Sequence, residues 1–190
     1  AHITAVDLVP QFLARLDDTA RRHGLADRIT TAAASMEDLG FEDGALDAIW
    51  SEGAIYNMGF ERGVNSWRRY LKPGGILSVS EITWLTARRP AELEDHWTRE
   101  YPEIATASAN LAVPEAAGYR PIGSFALAPR CWRDNYSRPM RRRFAGYLDR
   151  HGSSAAANEI VAAEEHEIDL YERFSDFFGY GFYVAARTDE

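Results

Sequence analysis

The sequence has very little cysteine and no long apolar segment. Cys131 is the only cysteine among 190 residues, which excludes an internal disulfide framework and a cysteine-based zinc cluster. No apolar run approaches the roughly 20 residues that a membrane-spanning helix requires. Basic residues are outnumbered, 21 against 29 acidic ones, and a net charge of −8 argues against nucleic acid as the main partner. We therefore expect a cytoplasmic protein with neither a nucleic-acid nor a membrane partner.

What is present indicates one α/β domain over residues 1–190. Hydrophobic residues make up 46% and charged residues 26% of the chain, as in ordinary globular proteins. Apolar runs alternate with helix-period segments, a pattern typical of βαβ units around a parallel sheet. The predicted strands are 3–6, 29–33, 46–50, 76–81, 119–127 and 179–187. The predicted helices include 10–23, 61–71, 113–117, 138–150 and 154–178, of which about 138–178 forms a lid-like segment before the last strand.

The most informative segment is the Leu-Lys-Pro-Gly-Gly sequence at residues 71–75. A helix-like segment is predicted to end at Lys72, because Pro73 cannot continue a helix and the two glycines supply the positive-φ turn that follows. An apolar, partly β-branched run then leads to Glu81, predicted at the carboxyl end of its strand. In open α/β sheets, ligands bind at that end of the strands.

This segment resembles the turn before the fifth strand of class I S-adenosylmethionine-dependent methyltransferases. Other segments follow in the family's order. Asp7 is similar to the acid that holds the cofactor's ribose, and 35–41 resembles the loop that lines the adenine. Residues 43–50 resemble the family's turn and fourth strand, and 116–119 the junction before its sixth. The resemblance implies a Rossmann-like three-layer α/β/α sandwich with a mostly parallel sheet.

One departure from the family lies at the start of the chain, which begins six residues before Asp7. In the family a strand, a glycine-rich loop and a helix precede this position, and that strand stands between those ending here at Asp7 and Trp50. The resemblance therefore implies an N-terminally incomplete domain whose sheet lacks its first strand, with a gap at that place. We expect weak binding of S-adenosylmethionine by this chain alone. We still expect the strands ending at Asp7, Trp50 and Glu81 to share one parallel sheet.

The resemblance also implies the residues that hold the cofactor, S-adenosylmethionine. They are Asp7, Leu8, Ser35, Met36, Glu37, Glu52 and Gly53. An ionised carboxylate such as that of Asp7 can accept hydrogen bonds from two vicinal ribose hydroxyls, although a helix-capping role is the alternative. Ser35 stands where the family often has an aspartate, which leaves Met36 and Glu37 to do that work. Gly53 permits close approach of the backbone to a ligand.

Catalysis of methyl transfer needs positioning of the two reactants and, where the acceptor carries a proton, a base. Glu81 is the best base candidate. Tyr56 and Asn57 are candidates for contact with the acceptor, with packing and turn formation as the alternative. No histidine and carboxylate set has metal-ligand spacing, so no metal is expected. The aromatic residues of the second half are predicted to be mostly core, with part of them forming a lid over a small acceptor.

The leading interpretation is transfer of a methyl group from S-adenosylmethionine to a small-molecule acceptor. A non-catalytic ligand-binding member of the same fold stays open, because methyltransferases lack an invariant catalytic residue. A nicotinamide-dependent oxidoreductase also stays open, because it shares the α/β sheet and the acid at Asp7. The sequence does not specify the acceptor, and it leaves open whether the protein forms a homo-oligomer.

Overall fold

The computed structural model describes residues 1–189, in which strands and helices alternate. The strands are β1 (Ile3–Asp7), β2 (Ile29–Ala33), β3 (Leu46–Ser51), β4 (Leu71–Trp84), β5 (Ala105–Thr106), β6 (Tyr119–Ala126) and β7 (Phe178–Arg187). The helices are α1 (Pro10–Arg22), α2 (Phe60–Trp67), α3 (Ala91–Glu100), α4 (Ala107–Ala116), α5 (Pro129–Trp132), α6 (Arg138–Arg141), α7 (Phe144–Arg150) and α8 (Ala155–Phe174). Within the described residues, no helix has the length and apolarity needed to cross a membrane.

The strands form two sheets. β1 and β2 pair in parallel, in a register that runs from Ile3 opposite Ile29 to Asp7 opposite Ala33. The second sheet has the order β3-β4-β7-β6, with β5 beside the end of β4. β3 and β5 run parallel to β4, whereas β7 is antiparallel to both β4 and β6. The antiparallel strands are therefore confined to one side of β4.

The prediction that the strands ending at Asp7, Trp50 and Glu81 share one sheet was wrong. β1 belongs to one sheet and β3 to the other, and no described strand joins them. The physical reason is that a ladder needs a neighbouring backbone, and no strand within residues 1–189 pairs with both β1 and β3. Apolar side chains on these strands stay uncovered, since Ile3 is 58% and Trp50 72% exposed.

The glycine-rich segment before the predicted fourth strand is part of that strand. α2 ends at Trp67, and a single 3₁₀ turn leads into β4 at Leu71, so the helix does not reach Lys72 as predicted. Leu71 pairs with Leu46, and regular pairing resumes at Ile76 after an irregularity in the ladder. The Pro-Gly-Gly sequence is therefore accommodated as a bulge in an extended strand rather than as a free turn.

Glu81 lies within its strand and not at its end, because β4 continues to Trp84. The neighbouring strand β3 is shorter, and its last residue Ser51 pairs with Val79. Glu81 therefore lies two positions beyond the carboxyl end of β3. Glu81 was expected at the carboxyl end of its own strand, where ligands bind. It lies instead just past the carboxyl end of the neighbouring strand β3 and three residues before the end of β4.

Two apolar cores lie on the two faces of the second sheet. Leu77 and Val79 of β4 belong to a core that includes Val64 and Trp67 of α2. Ile82 and Trp84 of the same strand belong to the other core, which α3 and α8 complete. Its buried members from those helices are Leu93, Trp97 and Tyr171. Because alternate side chains of a strand point to opposite faces, β4 separates the two cores. The three-layer α/β/α arrangement is confirmed.

The second half contains more breaks than predicted. The helix predicted over 138–150 is divided into α6 and α7, and the next one ends at Phe174 rather than at Phe178. Phe178 instead begins β7 and is fully buried. Trp132 stacks on Tyr171 with ring centroids 4.5 Å apart. These aromatic side chains are core, as predicted for most of them, and the lid role of the segment stays a prediction.

Candidate functional site

Asp7 lies at the carboxyl end of β1, where it organises the start of the following helix. Its Oδ1 accepts a hydrogen bond of 2.7 Å from the backbone N–H of Val9. Its carbonyl accepts one of 3.2 Å from the N–H of Ala34, which brings Asp7 beside the loop after β2. The side chain of Leu8, the residue that follows Asp7, is 69% exposed. The bond to Val9 shapes the turn before α1 but does not cap the helix, since the N-cap is Val9 and no side chain caps it.

The loop after β2 is held against α2. The indole Nε1 of Trp67 donates a 2.9 Å hydrogen bond to the carbonyl of Met36. Glu37 forms an ion pair of 2.9 Å with Arg62. The Ser35 hydroxyl accepts a 3.2 Å hydrogen bond from the N–H of Glu37. The predicted adenine loop is thus positioned through α2, and Ser35 shapes its turn.

The loop after β3 is tied to β4. The N–H of Gly53 donates a 2.9 Å hydrogen bond to the hydroxyl of Ser80. Gly53 has a φ of +52°, which disfavours other residues, and a Cβ there would lie 3.6 Å from the Tyr180 hydroxyl. Glu52 accepts a 3.0 Å hydrogen bond from Nε1 of Trp50. This loop therefore presents its backbone close to Tyr180.

The two residues predicted to contact the acceptor have different surroundings. Asn57 donates a 3.0 Å hydrogen bond to the carbonyl of Ala54, which stabilises the turn. Tyr56 is 44% exposed and packs edge-to-face on Tyr101, with ring centroids 6.2 Å apart. The structure therefore brings Tyr56 toward the neighbourhood of Glu81 through Tyr101, whereas Asn57 has the turn-forming role.

Glu81 is 2% exposed. Its Oε1 accepts a 2.8 Å hydrogen bond from the N–H of Ile82, whereas its Oε2 is buried without a partner. Burial raises the pKa of Glu81 to about 7, and the negative charge of Glu103 adds to this rise. The Ile82 N–H and the nearby Tyr101 hydroxyl lower the pKa of Glu81 and so oppose the rise. That hydroxyl does not reach hydrogen-bond geometry, since it too is buried without a partner. Such a carboxyl can exchange a proton near neutral pH.

Three residues near Glu81 were missed by the sequence analysis. Tyr101 and Glu103 lie in the irregular segment between α3 and β5, and Tyr180 lies in β7. Glu103 accepts a 3.2 Å hydrogen bond from the N–H of Phe60 at the start of α2. No motif surrounds Tyr101 and Glu103, and only the strand alternation of β7 could have indicated Tyr180.

A buried polar network fixes the backbone next to Glu81. The Thr83 hydroxyl donates a 2.8 Å hydrogen bond to the Glu81 carbonyl and lies 2.8 Å from the Tyr183 hydroxyl. The Asn110 side chain on α4 donates to both hydroxyls, at 3.3 and 3.2 Å. The network therefore connects three structural elements at the level of Glu81. Within residues 1–189, no group of three or more His, Cys, Asp or Glu side chains could hold a metal ion.

Comparison with known proteins finds methyltransferases among the relatives of this chain. Residues 1–79 match the family model for a methyltransferase domain. The ubiquinone/menaquinone biosynthesis C-methyltransferase UbiE of Brucella anthropi is 30% identical over 99 residues, which cover 52% of this chain and 38% of that protein. A methyltransferase structure from Geobacter sulfurreducens aligns over 96% of this chain and 74% of its own, with a TM-score of 0.75 and 20% identity. The chain therefore has the fold of S-adenosylmethionine-dependent methyltransferases, and its first 79 residues match their domain model.

The chain spans less than half the length of the curated relatives it matches. Its fold is also similar to that of a protein named for different chemistry. The [4+2]-cyclase SpnF aligns over 98% of this chain and 66% of its own, with a TM-score of 0.77 and 25% identity. The similarity to methyltransferases therefore establishes the fold more firmly than the reaction.

Proposed function

We propose that this chain binds S-adenosylmethionine across the carboxyl ends of its parallel strands and transfers the methyl group to a small molecule beside Glu81. The observation that carries the proposal is the buried Glu81 carboxyl, whose Oε2 has no partner and whose pKa is raised to about 7. A carboxyl in this state, next to the residue Ser80 that holds the Gly53 loop, is suited to accept a proton from an acceptor.

The residues at the strand ends fit the cofactor's parts. Asp7 offers carboxylate oxygens, which accept hydrogen bonds from ribose hydroxyls. Met36 offers an apolar side chain beside a loop that Trp67 holds in place, suited to the adenine. Gly53 leaves space because its left-handed backbone carries no side chain. We therefore assign these three residues to the adenosine and methionine portions of the cofactor.

S-adenosylmethionine, when bound, supplies an electrophilic methyl group on a sulfonium. The chain's own residues would orient the acceptor and take its proton. Glu81 would receive that proton on Oε2, the oxygen that has no other partner. The Tyr101 hydroxyl lies near enough to favour the ionised form of Glu81 before the transfer. Tyr56, packed on Tyr101, would contact the acceptor from the solvent side.

Two substitutions test these roles by separating affinity from turnover. Asp7→Ala removes charge-assisted hydrogen bonds worth about 1.5–3 kcal/mol each, so cofactor affinity should fall tenfold or more. Glu81→Gln keeps the side chain's shape and should reduce turnover while leaving affinity nearly unchanged. Asp47→Asn, an exposed position paired with Lys72, is the control. Binding of labelled cofactor and label transfer to a metabolite library give the two readouts.

Equal effects of the two substitutions on affinity would place Glu81 in the cofactor site. An unchanged affinity in Asp7→Ala would leave Asp7 with only its hydrogen bond to Val9 in the turn before α1. If the chain binds the labelled cofactor but transfers no label to any acceptor, a non-catalytic protein or an enzyme with other chemistry is favoured. The similarity to the [4+2]-cyclase SpnF makes other chemistry the second candidate function. A titration with a nicotinamide dinucleotide in the same assay tests the oxidoreductase alternative, which the match of residues 1–79 to a methyltransferase domain disfavours.

A further inference from the structure

An aromatic surface lies directly beside Gly53. We call it the tyrosine wall, and it consists of Tyr56, Tyr101, Tyr136 and Tyr180. Tyr56 packs on Tyr101 at 6.2 Å between ring centroids. Tyr180 and Tyr136 both contact Trp132, at 4.9 and 6.3 Å. Tyr56 and Tyr136 are 44% and 53% exposed, so a ligand from solvent can reach this surface.

The charges that act on the tyrosine wall are acidic. Burial first, and then Glu81 and Glu103, raise the pKa of Tyr101. Burial, Glu81 and Glu167 are among the causes that raise the pKa of Tyr180, and Glu167 also acts on Tyr136. The negative charges of these glutamates therefore act on tyrosine rings whose faces are themselves electron-rich. An anionic or strongly electronegative ligand would be repelled here.

We infer that the acceptor is a small amine that is positively charged in water, held against the tyrosine wall and the Glu81 and Glu167 carboxylates. This inference rests on the proposed function. Aromatic faces attract ammonium groups through cation–π interactions, most strongly where water is excluded. The buried, partnerless Oε2 of Glu81 supplies a second, independent requirement for a hydrogen-bond donor at this place.

The arrangement also accounts for the proton of such an amine. An ammonium N–H bond breaks and an O–H bond forms on Oε2 of Glu81. The ammonium and the carboxylate thereby become a neutral amine and a carboxylic acid, and the nitrogen lone pair is freed. Glu81 is suited to this exchange because its protonated form is already favoured by burial.

The test uses three probes of the same shape and different charge. They are choline, its neutral isostere 3,3-dimethylbutan-1-ol, and the anion 3,3-dimethylbutanoate. Each is titrated into the 190-residue chain without cofactor and followed by NMR. Choline should bind at least about tenfold more tightly than the neutral alcohol, and the anion more weakly than both. Equal affinities for choline and the alcohol, or a preference for the anion, would overturn the inference.

Matched variants locate the binding. Tyr56→Leu should weaken choline binding about fivefold, whereas Tyr56→Phe keeps the ring face and should leave it nearly unchanged. Glu167→Gln should reduce the preference for choline over the alcohol. Tyr147→Leu on α7 is the control, since Tyr147 instead contacts His151. If Tyr147→Leu weakens choline as much as Tyr56→Leu does, the tyrosine wall is not the site.

Failure of this inference and failure of the proposed function give different results. If the chain binds the cofactor but has equal affinities for choline and the neutral alcohol, only the cationic acceptor is rejected. Charge-selective binding that depends on Tyr56, in a chain that binds no S-adenosylmethionine, would reject the proposed function while retaining the cation site.

Discussion

The buried carboxyl of Glu81 makes a quantitative prediction about stability and pH. Its pKa in the folded chain is raised to about 7 from an ordinary value of 4.5. Since the folded state binds this proton more tightly than the unfolded state, Glu81 favours folding below about pH 4.5, and this contribution is lost as the pH rises through about 7. At 1.36 kcal/mol per pKa unit, the loss amounts to about 3 kcal/mol.

Glu81→Gln removes this titration while keeping the shape of the side chain. The glutamine can still accept the hydrogen bond from Ile82, and its amide can face the Tyr101 hydroxyl. The free energy of unfolding of the variant, minus that of the wild type, should therefore grow by about 3 kcal/mol between about pH 4.5 and pH 8.5. Other titrating groups are present in both proteins and largely cancel in the difference.

Urea unfolding followed by circular dichroism at several pH values measures this difference. Glu159→Gln, an exposed position on α8, is the matched control and should show the pH dependence of the wild type. A difference between Glu81→Gln and wild type that stays constant with pH would refute the reasoning, because it would mean that folding does not shift the Glu81 titration.

Two further predictions concern the surroundings of the site. Gly181→Ala should destabilise the fold by about 2 kcal/mol in urea unfolding, because a Cβ there would lie 2.5 Å from the Tyr183 hydroxyl. Gly123→Ala has no atom within 4 Å of its new Cβ and should change stability by no more than about 0.5 kcal/mol. Trp67→Phe loses the hydrogen bond to Met36, worth about 1 kcal/mol, and should speed hydrogen exchange in residues 35–37. Unchanged exchange there would mean that Trp67 does not hold the loop.

Local patterns were sufficient where the chain's own turn signals bounded an element. The strand over residues 29–33 was predicted with the bounds that β2 has, and the last strand to within one residue. The helix before Gly118 was likewise expected, since Gly118 takes a φ of +78°. Short-range rules apply at these positions because the deciding interactions lie within a few residues.

The failures have a common physical origin in long-range contacts. Pro73 and its glycines indicated a positive-φ turn, and Gly74 has a φ of +74°, but pairing with β3 at Leu71 and again from Ile76 makes this turn a bulge within β4. The helical pattern continued through Phe178, but pairing with Trp84 places that residue in β7. The site shows the same limit. Glu81 was identified from its strand, whereas Tyr101 approaches it from a segment whose sequence gives no sign of that contact.

The central claim, cofactor binding at the carboxyl ends of the strands, is tested most directly by NMR. S-adenosylhomocysteine, which keeps the adenosine of the cofactor, is titrated into the isotope-labelled chain, because chemical shifts report even the weak binding expected here. We expect shift changes concentrated at Asp7, 35–37 and 52–53, with little change at Arg69 near the start of β4. Changes gathered elsewhere, or none at the highest attainable concentration, would contradict it.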